Sequence, residues 1–243
     1  MNLDTLRTAG QASLHPDRIK ITVGMATCGL AAGADVIFDT LKQRLDQRGI
    51  DALLTKTGCL GACHQEPIVE VRLPDAAPVL FTKMTRPRAR ALIDSLARGA
   101  LPAADAWAVI DHDESPLIDP RVELRKPIGF EAAPIYSEQP FVAWQRKIVL
   151  RNCGLIDPAS LEEYLARGGY AGLPRALRDH SPQTVIDEIN QSGLRGRGGG
   201  GFVTGRKWQI AHDQPGEIKY LICNGDEGDP GAYMDRTVLE SDP

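Results

Sequence analysis

The chain has 243 residues, of which 42% are hydrophobic and 25% are charged, and its formal net charge is −4. This length and composition fit one large or two modest globular domains with a substantial core. The near balance of 28 basic and 32 acidic residues gives no overall attraction to nucleic acid or to an anionic membrane. No apolar run is long enough to span a bilayer or to form a signal sequence, so we expect a cytoplasmic protein with no nucleic-acid partner and no direct membrane insertion.

The first hundred residues are patterned as a small, separate α/β domain. A polar N-terminal stretch is followed by alternating apolar segments of strand and helix length, and glycines end the two helices. The resulting order is β-α-β-β-β-α. The predicted elements are a strand over 19–24, a helix over 31–49, strands over 50–58, 67–74 and 78–84, and a helix over 86–99.

The middle of the chain is rich in proline and weakly patterned, which predicts an extended connector on a surface rather than a second core. Regular structure resumes after residue 140. Helices are predicted over 157–169 and 181–193, and the second has Ser181 as its N-cap. Another helix is predicted to begin with Thr204 as its N-cap. A strand of the buried type is predicted to end at Cys223.

The chain has five cysteines, and an odd count without a signal sequence argues against a disulfide framework. Cys59 and Cys63 form a C-x3-C pair at the end of the second predicted strand, and Cys28 follows the first strand. Two loops of one small domain can bring these three thiols together, which indicates metal or redox use. Cys153 and Cys223 lie in apolar segments, so both are predicted to be buried structural residues.

A glycine run from Gly196 to Gly201 lies between two predicted helices, and five of its six residues are glycine. The free N–H groups of such a loop, with the N-terminus of the next helix, form an anion site. Lys207 lies in the first turn of that helix, where a cation is unfavourable unless an anion neutralises it, and this indicates a phosphate. The pattern is neither a Walker loop nor a dinucleotide fingerprint. A flexible surface loop and an RNA-binding arginine–glycine segment remain alternatives.

An acidic turn, "CNGDEGDPG" over 223–231, follows the last predicted strand. Asn224, Asp226 and Glu227 offer an amide and two carboxylates at a strand end, where ligands collect in open α/β sheets. Like charges make them poor phosphate ligands, but they suit the N–H and hydroxyl groups of a flavin ring and its ribityl chain. A solvated acidic turn is the alternative interpretation.

The order "SGLRGRGGGGFVTGRKW" followed by "CNGDEGDPGAYMDR" resembles the flavin-binding subunit of NADH dehydrogenases. That family includes the flavin subunit of respiratory complex I and the diaphorase subunits of NAD-linked hydrogenases and formate dehydrogenases. The lead-in "RNCGLIDPASLEEYLARGGYAGL" over 151–173 is similar as well, so the resemblance runs from about residue 141 to the last residue. It implies an oxidoreductase in which NAD(P)H reduces FMN and electrons pass to iron–sulfur centres, in partnership with other subunits of a multisubunit redox complex. A non-catalytic docking or assembly module is the alternative.

The resemblance also implies roles for single residues. The glycine run would wrap FMN, Lys207 would meet its phosphate, and Phe202 would lie beside the nicotinamide nucleotide. Asp229 stands where complex I proteins usually have Glu, which favours the hydrogenase-type branch. The implied cofactor-binding residues are Gly196, Arg197, Gly198, Gly199, Gly200, Gly201, Phe202, Lys207, Asn224, Asp226, Glu227 and Asp229.

The N-terminal domain resembles the thioredoxin-like [2Fe–2S] ferredoxin domain, which is often a partner of the flavin subunit or fused to it. Domains of that family supply a C-x4-C pair and then a C-x3-C pair, and such a cluster needs four ligands. Val23 occupies the earlier position of the first pair, and valine cannot ligate iron. Three possibilities remain open: a cluster completed by another ligand such as His64, zinc on Cys28, Cys59, Cys63 and His64, and a docking domain without metal.

The predicted fold class is α/β (α+β), a thioredoxin-like domain followed by the first part of an FMN-binding α/β domain. The predicted boundaries are 1–98 for the thioredoxin-like domain, 99–140 for the connector and 141–243 for the flavin part. The resemblance implies that further nucleotide-binding residues and a [4Fe–4S] cysteine motif lie in a continuation. We therefore expect this chain on its own to be inactive.

Overall fold

A computed structural model describes residues 2–115 and 119–243. They form two compact units, one within Met1–Gly168 and Asp226–Pro243 and the other Gly169–Gly225. None of the helices in the described part of the chain is both long enough and apolar enough to cross a membrane. The predicted boundaries at residues 98 and 140 stay predictions.

The first unit is built on a five-stranded mixed sheet, whose strands are β1 (Ile19–Gly24), β2 (Ala52–Thr57), β3 (Val69–Arg72), β4 (Val79–Phe81) and β5 (Ala108–Val109). Their order in the sheet is β2-β1-β3-β4-β5. β1 pairs parallel with β2 and antiparallel with β3, and the remaining neighbours are antiparallel. Two further strands, β6 (His112–Ser115) and β7 (Asp119–Glu123), form a separate two-stranded antiparallel sheet.

Nine helices are assigned in the described residues, six in the first unit and three in the second. The helices are α1 (Leu3–Leu14), α2 (Thr27–Ala31), α3 (Ala34–Arg48), α4 (Arg86–Leu96), α5 (Leu161–Ala166), α6 (Gly172–Asp179), α7 (Pro182–Gln191), α8 (Thr204–Asp213) and α9 (Met234–Ser241).

The core of the first unit lies where α3 and α4 pack against the sheet. Ile21 and Val23 of β1 are fully buried, and Ile37 and Leu41 of α3 meet them at helical spacing. Each such side chain contributes roughly 1.5–3 kcal/mol through burial. Gly49 ends α3 with a φ of 62°, a left-handed conformation that favours glycine. The βαβ unit followed by an antiparallel ββα unit confirms the predicted thioredoxin-like α/β class.

Two segments differ from the sequence prediction. The proline-rich connector adds β5 to the sheet and buries Phe130 in the core, because its short apolar segments find partners there. The strand predicted to end at Cys223 is absent from the described structure, where 217–225 is irregular. An apolar run forms a strand only with a ladder partner, and here Leu221 is 98% exposed.

Candidate functional site

Three thiols come together in the first unit and form the cysteine cluster, Cys28, Cys59 and Cys63. Their sulfur atoms all lie within 4.8 Å of one another. The Sγ atoms of Cys59 and Cys63 are 3.5 Å apart. Cys59 is buried, Cys28 is half-buried and Cys63 is exposed, so the cluster lies at the protein surface. This grouping is the one that the sequence predicts.

Parallel pairing explains why the thiols meet. β1 and β2 end in register, with Gly24 opposite Thr57, so the loops that follow them leave the same edge of the sheet. The Met25 N–H donates to the Thr57 carbonyl oxygen at 2.8 Å and holds the two exits together. Cys28 lies in the segment after β1 and Cys59 in the segment after β2. The parallel pairing of the two strands therefore brings both cysteines to the same edge of the sheet.

The three thiols have different acidities. Hydrogen bonding from the Cys28 thiol, helped by the Gly61 N–H at 3.2 Å, lowers the pKa of Cys59 to about 6. The hydrogen bond that the Cys28 thiol makes to Cys59 raises the pKa of Cys28, and burial raises the pKa of Cys63. The Lys147 ammonium, which donates to the Leu60 carbonyl at 2.5 Å, adds a positive charge beside Cys59. One thiolate is therefore stabilised in the cluster, and thiolates are the form that binds metals.

Sequence reasoning missed a buried carboxylate beside the cluster. Glu66 is 9% exposed, and its Oε1 lies 3.9 Å from Cys28 Sγ. Burial raises the pKa of Glu66 to about 7. The only signal in the sequence is a Glu three positions after Cys63. His64, which the sequence offers as a fourth ligand, instead packs its ring against Phe141 at a centroid distance of 4.9 Å.

The cluster fits part of an iron–sulfur site. Two thiolates on one metal at bond lengths of about 2.3 Å lie roughly 3.8 Å apart, close to the Cys59–Cys63 separation. A [2Fe–2S] centre needs four protein ligands, and three are present. Val23, at the position where the resemblance to thioredoxin-like ferredoxins implies a fourth ligand, is fully buried in the apolar core of the unit.

The C-terminal helix α9 is fastened to the loops that carry the cysteines. The Glu240 carboxylate accepts hydrogen bonds from the Thr27 N–H at 3.0 Å and from the Thr27 hydroxyl. The Ser241 hydroxyl oxygen accepts from the Cys59 N–H at 2.9 Å. A Cβ at Gly58 would overlap Ser241, so the helix packs directly on this backbone. The segment after the acidic turn therefore ends against the cysteine cluster.

The glycine run forms a closed loop in the second unit. The Gly196 N–H donates to the Phe202 carbonyl at 2.8 Å, and the Thr204 N–H donates to the Leu194 carbonyl at 2.9 Å. Between these bonds Gly199 has a φ of 96°. A Cβ on Gly198, Gly199 or Gly200 would meet open space, so a ligand has access to this backbone.

α7 and α8 hold the loop from both sides. Ser181 caps α7, as predicted, by accepting from the Thr184 N–H at 3.2 Å. Asn190 lies so close to Gly205 of α8 that a Cβ there would overlap it. Val203, rather than the predicted Thr204, is the cap of α8, because Thr204 already has helical geometry. Lys207 is exposed in the helix that follows the loop.

The residues of the acidic turn are divided between the units: Asn224 lies in the second, and Asp226, Glu227 and Asp229 lie in the first. Glu227 accepts from the N–H groups of Asp235 at 2.8 Å and Arg236 at 3.0 Å, which lowers its pKa. It therefore caps the N-terminus of α9.

The other two cysteines have different environments. Cys153 is buried, as predicted, and burial raises its pKa to about 11. Cys223 is exposed, so the prediction of burial is wrong there. Its segment has no sheet to cover it in the described structure.

Sequence comparison connects the second half of the chain to known proteins. Residues 189–243 match the family model described as the Nuo51 FMN-binding domain. The NADP-reducing hydrogenase subunit HndC of Solidesulfovibrio fructosivorans is 54% identical over 99 residues, 41% of this chain and 20% of that protein. A subunit of the NADH-quinone oxidoreductase of Aquifex aeolicus is 51% identical over 84 residues, 35% of this chain and 19% of that protein. The chain thus spans about a fifth of the length of the curated relatives it matches.

Two solved structures align with the chain over different shares of its length. A thioredoxin-like [2Fe–2S] ferredoxin from Aquifex aeolicus has a TM-score of 0.32 at 16% identity, covering 37% of this chain and 96% of the ferredoxin. An NAD⁺-reducing [NiFe]-hydrogenase in the H2-reduced state has a TM-score of 0.34 at 21% identity, covering 99% of this chain and 38% of that chain. The sequence matches confirm the resemblance that the motifs predict, because residues 189–243 match the FMN-binding domain model and the matched relatives are subunits of a hydrogenase and of an NADH-quinone oxidoreductase.

Proposed function

We propose that this chain is part of the flavin subunit of a multisubunit oxidoreductase, which oxidises NAD(P)H through FMN and delivers electrons to an iron–sulfur centre. The match of residues 189–243 to the FMN-binding domain carries this proposal. The named relatives, a hydrogenase subunit and quinone oxidoreductase subunits, support a role among other subunits.

FMN, when bound, supplies the chemistry, because it accepts a hydride and releases electrons singly. The residues of this chain bind and orient it. The open backbone of the glycine run and the Lys207 ammonium suit the phosphate, since free N–H groups and a cation both favour an anion. Asn224 and Asp226 offer acceptors to the flavin ring and ribityl chain, and Phe202 offers an aromatic face to the nicotinamide nucleotide.

The contact between α9 and the cysteine loops favours electron transfer over simple docking. The acidic turn continues into α9, and α9 binds Thr27 and Cys59 next to the cysteine cluster. The acidic turn, which is one of the flavin motifs, is therefore connected through α9 to the cysteine cluster, and this connection supports electron transfer.

A chimera tests the proposal. Residues 189–243 replace the corresponding segment of HndC from S. fructosivorans, and the purified chimera is assayed for bound flavin and for flavin reduction by NADH or NADPH. We expect stoichiometric FMN that is bleached by the nucleotide. A folded chimera without FMN, beside an unmodified HndC that retains it, would contradict the proposal and favour the docking alternative.

A further inference from the structure

The cysteine cluster lacks one ligand at the position where its family has a cysteine. Val23 is 0% exposed and packs among the apolar side chains of the core. Its isopropyl group offers no donor atom to a metal. A centre with four protein ligands must take the fourth from another residue.

Glu66 directs a carboxylate oxygen toward the cysteine cluster. Its Oε2 accepts from the Ile68 N–H at 2.7 Å, which fixes the plane of the group. Its Oε1 then faces the cluster, 3.9 Å from Cys28 Sγ. A hydrogen bond to the outer oxygen of a metal-binding carboxylate is the usual means of orienting such a ligand.

The backbone of β1 leaves room for this carboxylate. A Cβ at Gly24 would lie 3.0 Å from Glu66 Oε1 and 3.2 Å from Oε2, a tight contact that would require the carboxylate to shift. The glycine follows Val23 directly in the chain. β1 has valine where the resemblance implies a cysteine, and the next residue, Gly24, has no side chain and so leaves room for the Glu66 carboxylate.

The buried Glu66 carboxylate has no cationic partner among the residues that the structure describes. No ion pair among the described residues includes Glu66. A buried carboxylate without a positive partner costs several kcal/mol, whereas a metal ion beside it removes that cost. The charge, the orientation and the space therefore all favour a metal at this point.

We propose that Glu66, through Oε1, is the fourth protein ligand of a [2Fe–2S] centre on Cys28, Cys59 and Cys63. The short Cys59–Cys63 distance suits one iron shared by these two thiolates, which leaves Cys28 and Glu66 for the other. Replacement of cysteine by another ligand type is known chemistry for such clusters, as in centres with two histidines. This inference concerns the electron acceptor of the proposed function, but its test needs no flavin, so the two fail independently.

The test is anaerobic reconstitution of the 243-residue chain with ferrous iron and sulfide. Iron and sulfide per chain are measured, and the reduced protein is examined by electron paramagnetic resonance. We expect the wild type to bind the cluster, Glu66→Ala to lose at least about tenfold in iron retention against a chelator, and His64→Ala to match the wild type. Glu66→Ala that keeps the iron and an unchanged spectrum overturns the proposal, as does a wild type that takes up no cluster.

A second measurement covers the case in which Glu66→Ala fails to fold. X-ray absorption spectroscopy at the iron edge of the reconstituted wild type identifies the types of atom that bind the iron. The proposal requires an iron–oxygen shell in addition to the sulfur shell. An all-sulfur environment around both irons would refute it whatever the variant does.

Discussion

A buried ion pair ties the lead-in segment of the flavin motifs to the thioredoxin-like core. Glu163 of α5 is 2% exposed and Lys20 of β1 is 5% exposed, and their charged groups lie 3.4 Å apart. The carboxylate also accepts from the Ser13 hydroxyl at 2.6 Å and from the Asp157 N–H at 2.6 Å. We predict that Glu163→Gln, which preserves shape and removes the charge, destabilises the first unit strongly.

The expected loss follows from these contacts. Removing one partner of a buried pair leaves an uncompensated charge and costs about 3–5 kcal/mol. Lys20 keeps a hydrogen bond to the Ser13 carbonyl oxygen at 2.9 Å, and the glutamine oxygen can still accept from the Asp157 N–H. We therefore expect a loss of about 3 kcal/mol in the free energy of unfolding, the lower end of that range.

The assay is urea denaturation of the 243-residue chain followed by far-UV circular dichroism. Glu162→Gln, the preceding carboxylate on the same helix, is the matched control and should change stability by less than about 0.5 kcal/mol. In Lys20→Met/Glu163→Gln, with the cation also removed, most of the loss should be recovered. Equal stabilities of Glu163→Gln and the control would refute the reasoning.

Three further outcomes are expected. Gly10→Ala should destabilise the chain by about 1–3 kcal/mol in the same assay, because a Cβ there would overlap the backbone of α5, whereas exposed Gln11→Ala should not. Hydrogen bonding from Arg44 lowers the pKa of Asp94, so the carboxylate stabilises the fold above its unfolded pKa of about 4 and this contribution is lost as the pH falls through the lower folded pKa. Asp94→Asn should therefore lower the melting temperature at pH 7, and a difference that persists in strong acid would contradict the assignment. The 243-residue chain alone should bind FMN weakly and show no diaphorase activity, because its segment 217–223 has no sheet partner in the described structure; tight stoichiometric binding in a fluorescence titration would argue against this.

The sequence predicted the elements of the first unit well because local signals and tertiary packing agree there. The apolar positions of β1 and α3 do face the core, and Gly49 does stop the helix. The grouping of the three thiols was predicted because two loops of one small domain carry them, and the parallel pairing of β1 and β2 is what brings those loops together. The flavin motifs were recognisable because the glycine run and the acidic turn are two long motifs, and their occurrence in this order is specific to the flavin-binding family.

Other features depend on contacts that no local pattern reveals. The run around Leu221 has the composition of a strand, but ladder formation depends on a partner strand. Glu66 has no motif of its own, and its proximity to Cys28 depends on how the loop after Cys63 folds back. Lys20 and Glu163 are 143 positions apart, so their pairing is a property of the fold.

The central claim is that the glycine run and Lys207 hold the phosphate of FMN. The most direct test is the FMN affinity of the HndC chimera, measured by flavin fluorescence with Lys207→Ala and with Lys219→Ala as the matched control. Loss of a hydrogen bond to a charged group costs about 1.5–3 kcal/mol, so Lys207→Ala should weaken binding roughly 10- to 150-fold while the control leaves it unchanged. Equal affinity of the two variants would contradict the account.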